Sequence, residues 1–243
     1  MRIIELILNN IYNKPLSEIP IKQKCVINTV NANSYCEAKK DMEFKKALIS
    51  SDILLPDGIS MVIAAKLLTR TVVKKIAGAD IHHFLLSKAN ANNQKVFYLG
   101  ASENTLQLIT KKLQLEFPTI EVASYSPPYK TIFSEEDNAI MLLKINTFKP
   151  NVLFVGMTAP KQEKWVHAHK EKIEANIIVA IGAVFDFYAG TVKRAPQWMI
   201  AAGLEWLYRL VKEPRRMWRR YLIGNTKFCW YVAVEKYNLL FKG

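Results

Sequence analysis

Asp57 stands in the run Leu54-Leu55-Pro56-Asp57-Gly58-Ile59, where Pro56 and Gly58 turn the chain just after the apolar residues 53–55. A carboxylate released at the end of a buried strand can act as a general base; the competing reading is a turn former, or the N-cap of a helix over 61–68. Thr29 and Asn31 follow another strand-like stretch, 25–27, and bring neutral hydrogen-bonding groups to the same kind of strand end, unless they too are turn formers. Pro160-Lys161-Gln162-Glu163 places a cation, an amide and a carboxylate at the start of a helix that carries Trp165. Such a density of polar functions suits substrate recognition, and a helix start with proline in its first turn and an acidic cap is equally economical. Asp186 interrupts the apolar run Val184-Phe185-Asp186-Phe187-Tyr188, so a partner, protein or ligand, is expected for it.

Metal chemistry has little to work with. The histidines occur as His82-His83 and His167-x-His169, without a third ligand at a recognisable spacing, and there is no DxD pair. Asp41-Met42-Glu43 and Glu135-Glu136-Asp137 lie in highly charged stretches that read as solvated faces. Cys25, Cys36 and Cys229 lack CxxC spacing, which fits a reducing cytoplasm better than a disulfide framework.

These groups need a scaffold, and the hydrophobic pattern supplies one. Residues 95–99 (KVFYL), 152–155 (VLFV) and 177–181 (IIVAI) read as buried parallel strands. Helical patterns over 105–116 and 135–147 separate them, the second with an acidic start. Alternating strand and helix predict an open α/β sheet. Gly100 follows the first of these strands, and Ser102-Glu103-Asn104 leads into a helix, where backbone N–H groups can meet an anion or simply turn the chain. Neither GxGxxG nor GxxxxGK[ST] is present, which disfavours dinucleotide and P-loop readings.

The alternation stops after Gly190, so the chain divides into an α/β core over 1–190 and a basic, aromatic helical appendage over 191–243. The net charge is +13, and residues 191–243 hold eleven Lys or Arg, Lys242 included, against three Glu. Such an excess attracts polyanions: nucleic acid, anionic lipid or phosphorylated substrates. Arg209, Arg216 and Arg219 would lie near one face of a continuous helix, but Pro214 interrupts it, which suits a compact phosphate clamp better than an extended nucleic-acid groove. Arg2 opens a stretch too short and polar for a signal peptide, and no apolar run reaches spanning length, so membrane contact is expected to be peripheral, through the apolar tail over 228–240.

Read together, these pieces resemble the WecG/TagA/CpsF family of bacterial glycosyltransferases. The matching residues are Thr29-x-Asn31-Ala32, Pro56-Asp57-Gly58-Ile59, Gly78-x-Asp80, Gly100, Pro160-Lys161-Gln162-Glu163, Asp186, Gly190, Arg194-Ala195-Pro196, the run Gly203-Leu204-Glu205-Trp206-Leu207-Tyr208-Arg209, and Glu213-Pro214-x-Arg216 with Arg219, Arg220 and Tyr221. The resemblance implies a Rossmann-like core of the GT-E type with a C-terminal appendage that completes the site at the inner face of the cytoplasmic membrane. It implies an inverting, metal-independent enzyme without a cofactor, moving an N-acetylmannosamine-type or related hexose from a UDP-sugar to an undecaprenyl-diphosphate-linked sugar. Nucleic acid is not a partner in this reading, and homo-oligomer formation stays open.

By the same resemblance Asp57 matches the general base, Thr29 and Asn31 line the donor pocket, and Gln162, with Glu163 beside it, meets the sugar or diphosphate. Asp186 resembles a reader of the uracil edge. Arg209, Arg216 and Arg219 match cations that meet the leaving UDP, and Arg194, in the matching Arg194-Ala195-Pro196, is a further substrate-binding candidate. Arg215, Arg220 and Trp218 are left as membrane contacts. The chain departs from the family at three places: Lys75 stands where arginine is common and keeps the charge without the bidentate fork, Thr158 stands where glycine is common, and Pro128-Tyr129-Lys130 replaces an aromatic loop, so Thr158 and Tyr129 bear on donor preference.

Overall fold

The computed structural model describes residues 3–19 and 24–241; Arg2 and Lys242 lie outside the described residues. Six strands, β1 (Cys25–Val30), β2 (Ile53–Pro56), β3 (Lys95–Gly100), β4 (Glu121–Tyr125), β5 (Val152–Gly156) and β6 (Ile177–Ala180), form one sheet in the order β2-β1-β6-β5-β3-β4. Every pairing is parallel, as expected from their near-continuous apolar sequences. The exception to that pattern is β4, whose Glu-Val-Ala-Ser-Tyr contains no fully buried residue and whose place at the sheet edge explains why it gives no apolar run.

The helices of the sheet region are α1 (Ile3–Asn9), α2 (Ala32–Ala38), α3 (Met42–Ile49), α4 (Ile59–Thr69), α5 (Gly78–Ala91), α6 (Glu103–Glu116), α7 (Glu135–Phe148), α8 (Lys161–His169) and α9 (Val184–Ala189). Alternate strand residues feed two layers. Ile27, Phe154 and Val179 pack with Ile81 and Leu85 of α5 and Leu106 and Ile109 of α6, while Val26, Leu153 and Ile178 pack with Met141 and Ile145 of α7 and Trp165 of α8. Local capping fixes the helix starts: Ser102 accepts from Thr105 N at 3.2 Å in α6, and Ser134 and Asp137 cap α7 reciprocally.

Past Gly190 the chain runs through α10 (Gln197–Ala201), α11 (Glu205–Lys212), α12 (Pro214–Trp218), a π-helical turn (Arg219–Ile223) and α13 (Gly224–Phe241). Its last helix returns to the sheet region. Phe228 and Val232 are buried in a cluster with Tyr35, Phe44, Leu54 and Met61, and Tyr35 meets the Phe228 ring edge-on at 5.3 Å. This contact fixes the basic segment over the carboxyl ends of β1 and β2.

Candidate active site

A parallel sheet gathers ligands where the loops leave the carboxyl ends of its strands. Here four neighbouring strands, β2, β1, β6 and β5, deliver Asp57, Asn31, Gly182 and Thr158 to one cavity of about 270 Å³, and the C-terminal segment forms its opposite wall with Arg194, Glu205, Trp206, Arg209, Arg216, Arg220 and Tyr221. Thr29, Lys75, Gln162 and Glu163 complete the part supplied by the sheet region.

Asp57 is not a cap. The N-cap of α4 is Gly58, in a left-handed conformation with φ of +120°, and no side chain bonds the helix start. The Asp57 amide instead donates to Val30 O at 2.8 Å, which ties the loop to β1 and turns the carboxyl into the cavity. Burial raises its proton affinity, and the Glu205 carboxylate raises it further; Lys75, Arg220 and a hydrogen bond from the Asn31 amide oppose this. Asn31 has two tasks, because its Oδ1 also caps α2 by accepting from Ser34 N at 3.0 Å.

Gln162 and Glu163 sit at the start of α8 with only 4% and 3% of their surfaces exposed. Gln162 Oε1 accepts from Met157 N at 3.1 Å and from Gly182 N at 3.2 Å, so one side chain clamps the loops after β5 and β6. Its Nε2 donates to Glu163 Oε1 at 2.9 Å. The other Glu163 oxygen has no partner, and burial pushes this carboxyl up to about 7. The preceding Thr158 lines the cavity with φ of +72°, a left-handed backbone that β-branched residues seldom adopt.

The cations divide differently from a continuous-helix reading. Arg209 lies over the Phe187 ring at 5.3 Å and Arg216 pairs with Glu213 at 2.7 Å, both on the cavity wall. Arg220 lines the cavity, whereas Arg219 is exposed and stacks on Trp218 at 5.2 Å. The π-helical turn that begins at Arg219 explains the exchange, since a wider turn advances the register that α-helical spacing would give. The Nε atoms of Arg209 and Arg220 are buried without a hydrogen-bond partner.

Three further residues from the sequence reading lie away from the cavity lining. Gly100 serves the backbone: its φ is +117°, and a Cβ there would come within 2.3 Å of Gly156 O, so glycine is required for β3 and β5 to end side by side. Tyr129 is fully exposed on the loop after β4. Asp186 lies behind the arginine wall, where Thr191 Oγ1 donates to its backbone oxygen at 3.2 Å; burial raises its carboxyl, and Arg216 and Arg209 draw it down. Glu205, Trp206 and Arg220 carried no assigned role at the site from sequence, although Glu205 and Arg209 share the i, i+4 spacing that puts them on one face of α11.

Among the described residues no group of three or more His, Cys, Asp or Glu side chains could hold a metal ion, and no helix is long and apolar enough to cross a membrane.

A model of the glycosyl transferase WecG/TagA/CpsF family matches residues 2–241. The chain belongs to this glycosyl transferase family. Among WecG/TagA/CpsF relatives, it is 36% identical over 213 residues to an N-acetylglucosaminyldiphosphoundecaprenol N-acetyl-beta-D-mannosaminyltransferase of Bacillus subtilis (strain 168), covering 88% of this chain and 80% of the relative. Enzymes of the same name from Bacillus spizizenii and Staphylococcus aureus (strain MW2) are 35% and 29% identical, covering 81% and 79% of this chain and 74% of each relative.

Proposed function

We propose that the protein transfers an N-acetylmannosamine-type hexose, with inversion, from a UDP-sugar to an undecaprenyl-diphosphate-linked sugar at the inner membrane surface. The observation that carries this reading is the juxtaposition of Asp57, with its raised proton affinity, and the arginine wall of Arg209, Arg216 and Arg220 across one cavity. The relatives named for mannosaminyl transfer to a diphosphoundecaprenol sugar support the choice of substrates.

In this reaction Asp57 takes the proton of the acceptor hydroxyl as that oxygen bonds to the anomeric carbon. The bond from that carbon to UDP breaks on the opposite face, and the proton passes later from Asp57 to solvent. Charge developing on the departing diphosphate is met by the guanidinium groups, which suits transfer without a metal. The guanidinium groups of Arg209 and Arg220 on the cavity wall offer N–H donors for the phosphate oxygens.

A peripheral membrane position is supported by α13. Trp230, Val234, Tyr237 and Phe241 are exposed along one side of the helix, opposite the buried Phe228 and Val232. The test is direct: UDP should raise the melting temperature in a chelator, and UDP-N-acetylmannosamine with a lipid-linked N-acetylglucosamine acceptor should yield product. No shift with UDP and no product would sink the reading.

A further inference from the structure

Glu205 neither moves the proton nor meets the departing diphosphate, yet it holds two ion pairs on the cavity wall. It opens α11, and its carboxylate is bracketed by cations from two other segments. Lys75 Nζ, on the loop between α4 and α5, lies 3.7 Å from Oε2, and Arg194 Nε donates to Oε1 at 3.2 Å. The three side chains are only 21–25% exposed, so these pairs are screened less than surface pairs. The same residue forms part of the wall of the cavity into which Asp57 opens.

We propose that Glu205 is a positioning residue that couples seating of α11 to the reactivity of Asp57: one carboxylate pairs with Lys75 of the sheet region and Arg194 of the connector, and lines the same cavity as the base.

The coupling follows from what each charge does with the segment in place and away. Without α11 over the cavity, Lys75 has no Glu205 to engage and its charge acts on Asp57, holding that carboxylate ionised and making it a weak proton acceptor. Seating buries Asp57, which raises its proton affinity most, and brings in Glu205, which engages Lys75 and adds a negative neighbour, so the base is strengthened once the arginine wall is in place. The charged groups acting on Asp57 are Glu205, Lys75 and Arg220, with the Asn31 amide bonded to it. A donor bound before closure would then meet a base too weak to activate water.

The inference rests on the glycosyl-transfer reading, and the experiment separates the two. Full-length wild type, Glu205→Gln and Glu205→Ala are compared by hydrogen exchange across residues 197–212, and by the pH dependence of kcat/KM with UDP-N-acetylmannosamine and the lipid-linked acceptor. Gln keeps the shape and the bond to Arg194 but removes the charge, so the acidic limb should move to lower pH and kcat should fall with KM little changed. Ala should also free the segment, with exchange roughly fivefold faster or more. An acidic limb unmoved in an active Glu205→Gln enzyme overturns the coupling, as does unchanged exchange in Glu205→Ala. A wild type without transfer activity overturns the reading beneath it, and the exchange arm then still decides whether Glu205 seats the segment.

Discussion

Gln162 and Gly182 are in contact across the ends of β5 and β6: Gln162 Oε1 accepts from Gly182 N at 3.2 Å, and a Cβ built on Gly182 would lie 2.8 Å from that same oxygen. The glycine therefore makes room for the clamp that it completes. In Gly182→Ala the amide side chain must withdraw, which leaves the Met157 amide without its acceptor and frees the side chain that orients Glu163. Losing these buried bonds should cost about 1–3 kcal/mol, read as a lower urea midpoint with an unchanged slope. Full stability in that variant would show that Gln162 finds another rotamer with equal bonding.

Asp57→Asn preserves the shape of the side chain and its bond to the Asn31 side chain while removing the proton acceptor. Turnover should fall by about 100-fold or more, as general-base catalysis predicts, with UDP affinity by calorimetry changed by no more than about twofold. Wild-type turnover would return Asp57 to a purely structural part in the loop between β2 and α4.

Thr158 holds a left-handed backbone where glycine has no steric penalty. Thr158→Gly should relieve that strain, offset in part by the greater freedom of glycine in the unfolded chain. The expected gain is roughly 0.5–1 kcal/mol, seen as a higher urea midpoint. A loss of stability would mean that the threonine side chain earns more in contacts than its backbone costs.

Glu163 makes stability depend on pH in a direction unusual for an acid. Its folded value of about 7 lies above the ordinary 4.5, so both states hold the proton below about pH 4.5 and only the folded state holds it between there and 7. Stability contributed by this group is complete at the acidic end, drains away as pH rises through that window, and is level above it. The loss approaches about 3 kcal/mol across the window. Urea titrations of the ligand-free protein at pH 5 and 7.5 should show a steeper decline in wild type than in Glu163→Gln, which keeps an acceptor for Gln162. Parallel pH profiles would mean that Glu163 ionises normally.

Much of this architecture was legible because buried parallel strands announce themselves. Residues 95–99, 152–155 and 177–181 read as strands from their apolar runs, and the structure extends the first two by a glycine and ends the third one residue earlier. Edge strand β4 escaped because half-exposed residues carry no such run. At the site, Asp57, Asn31 and Gln162 could be picked out by their place just past strand ends. The partners of Glu205 could not, since Lys75 and Arg194 are separated from it by 130 and 11 positions and only the folded chain joins them. Arginine register was lost for a local reason: α-helical spacing cannot anticipate a π-helical turn at Arg219–Ile223.

That change of register separates two neighbouring cations experimentally. Arg220 lines the cavity, while Arg219 lies outside on Trp218. Arg220→Ala should therefore cut kcat/KM by about tenfold to 100-fold through lost stabilisation of the departing diphosphate, without altering flotation on vesicles containing anionic lipid. Arg219→Ala should do the reverse, lowering vesicle association in proportion to one lost basic contact while kcat/KM with a detergent-solubilised acceptor stays within about twofold. If the Arg219 variant lost turnover instead and the Arg220 variant kept it, the arginine wall would follow the continuous-helix spacing, and the π-helical turn would not be present in the working enzyme.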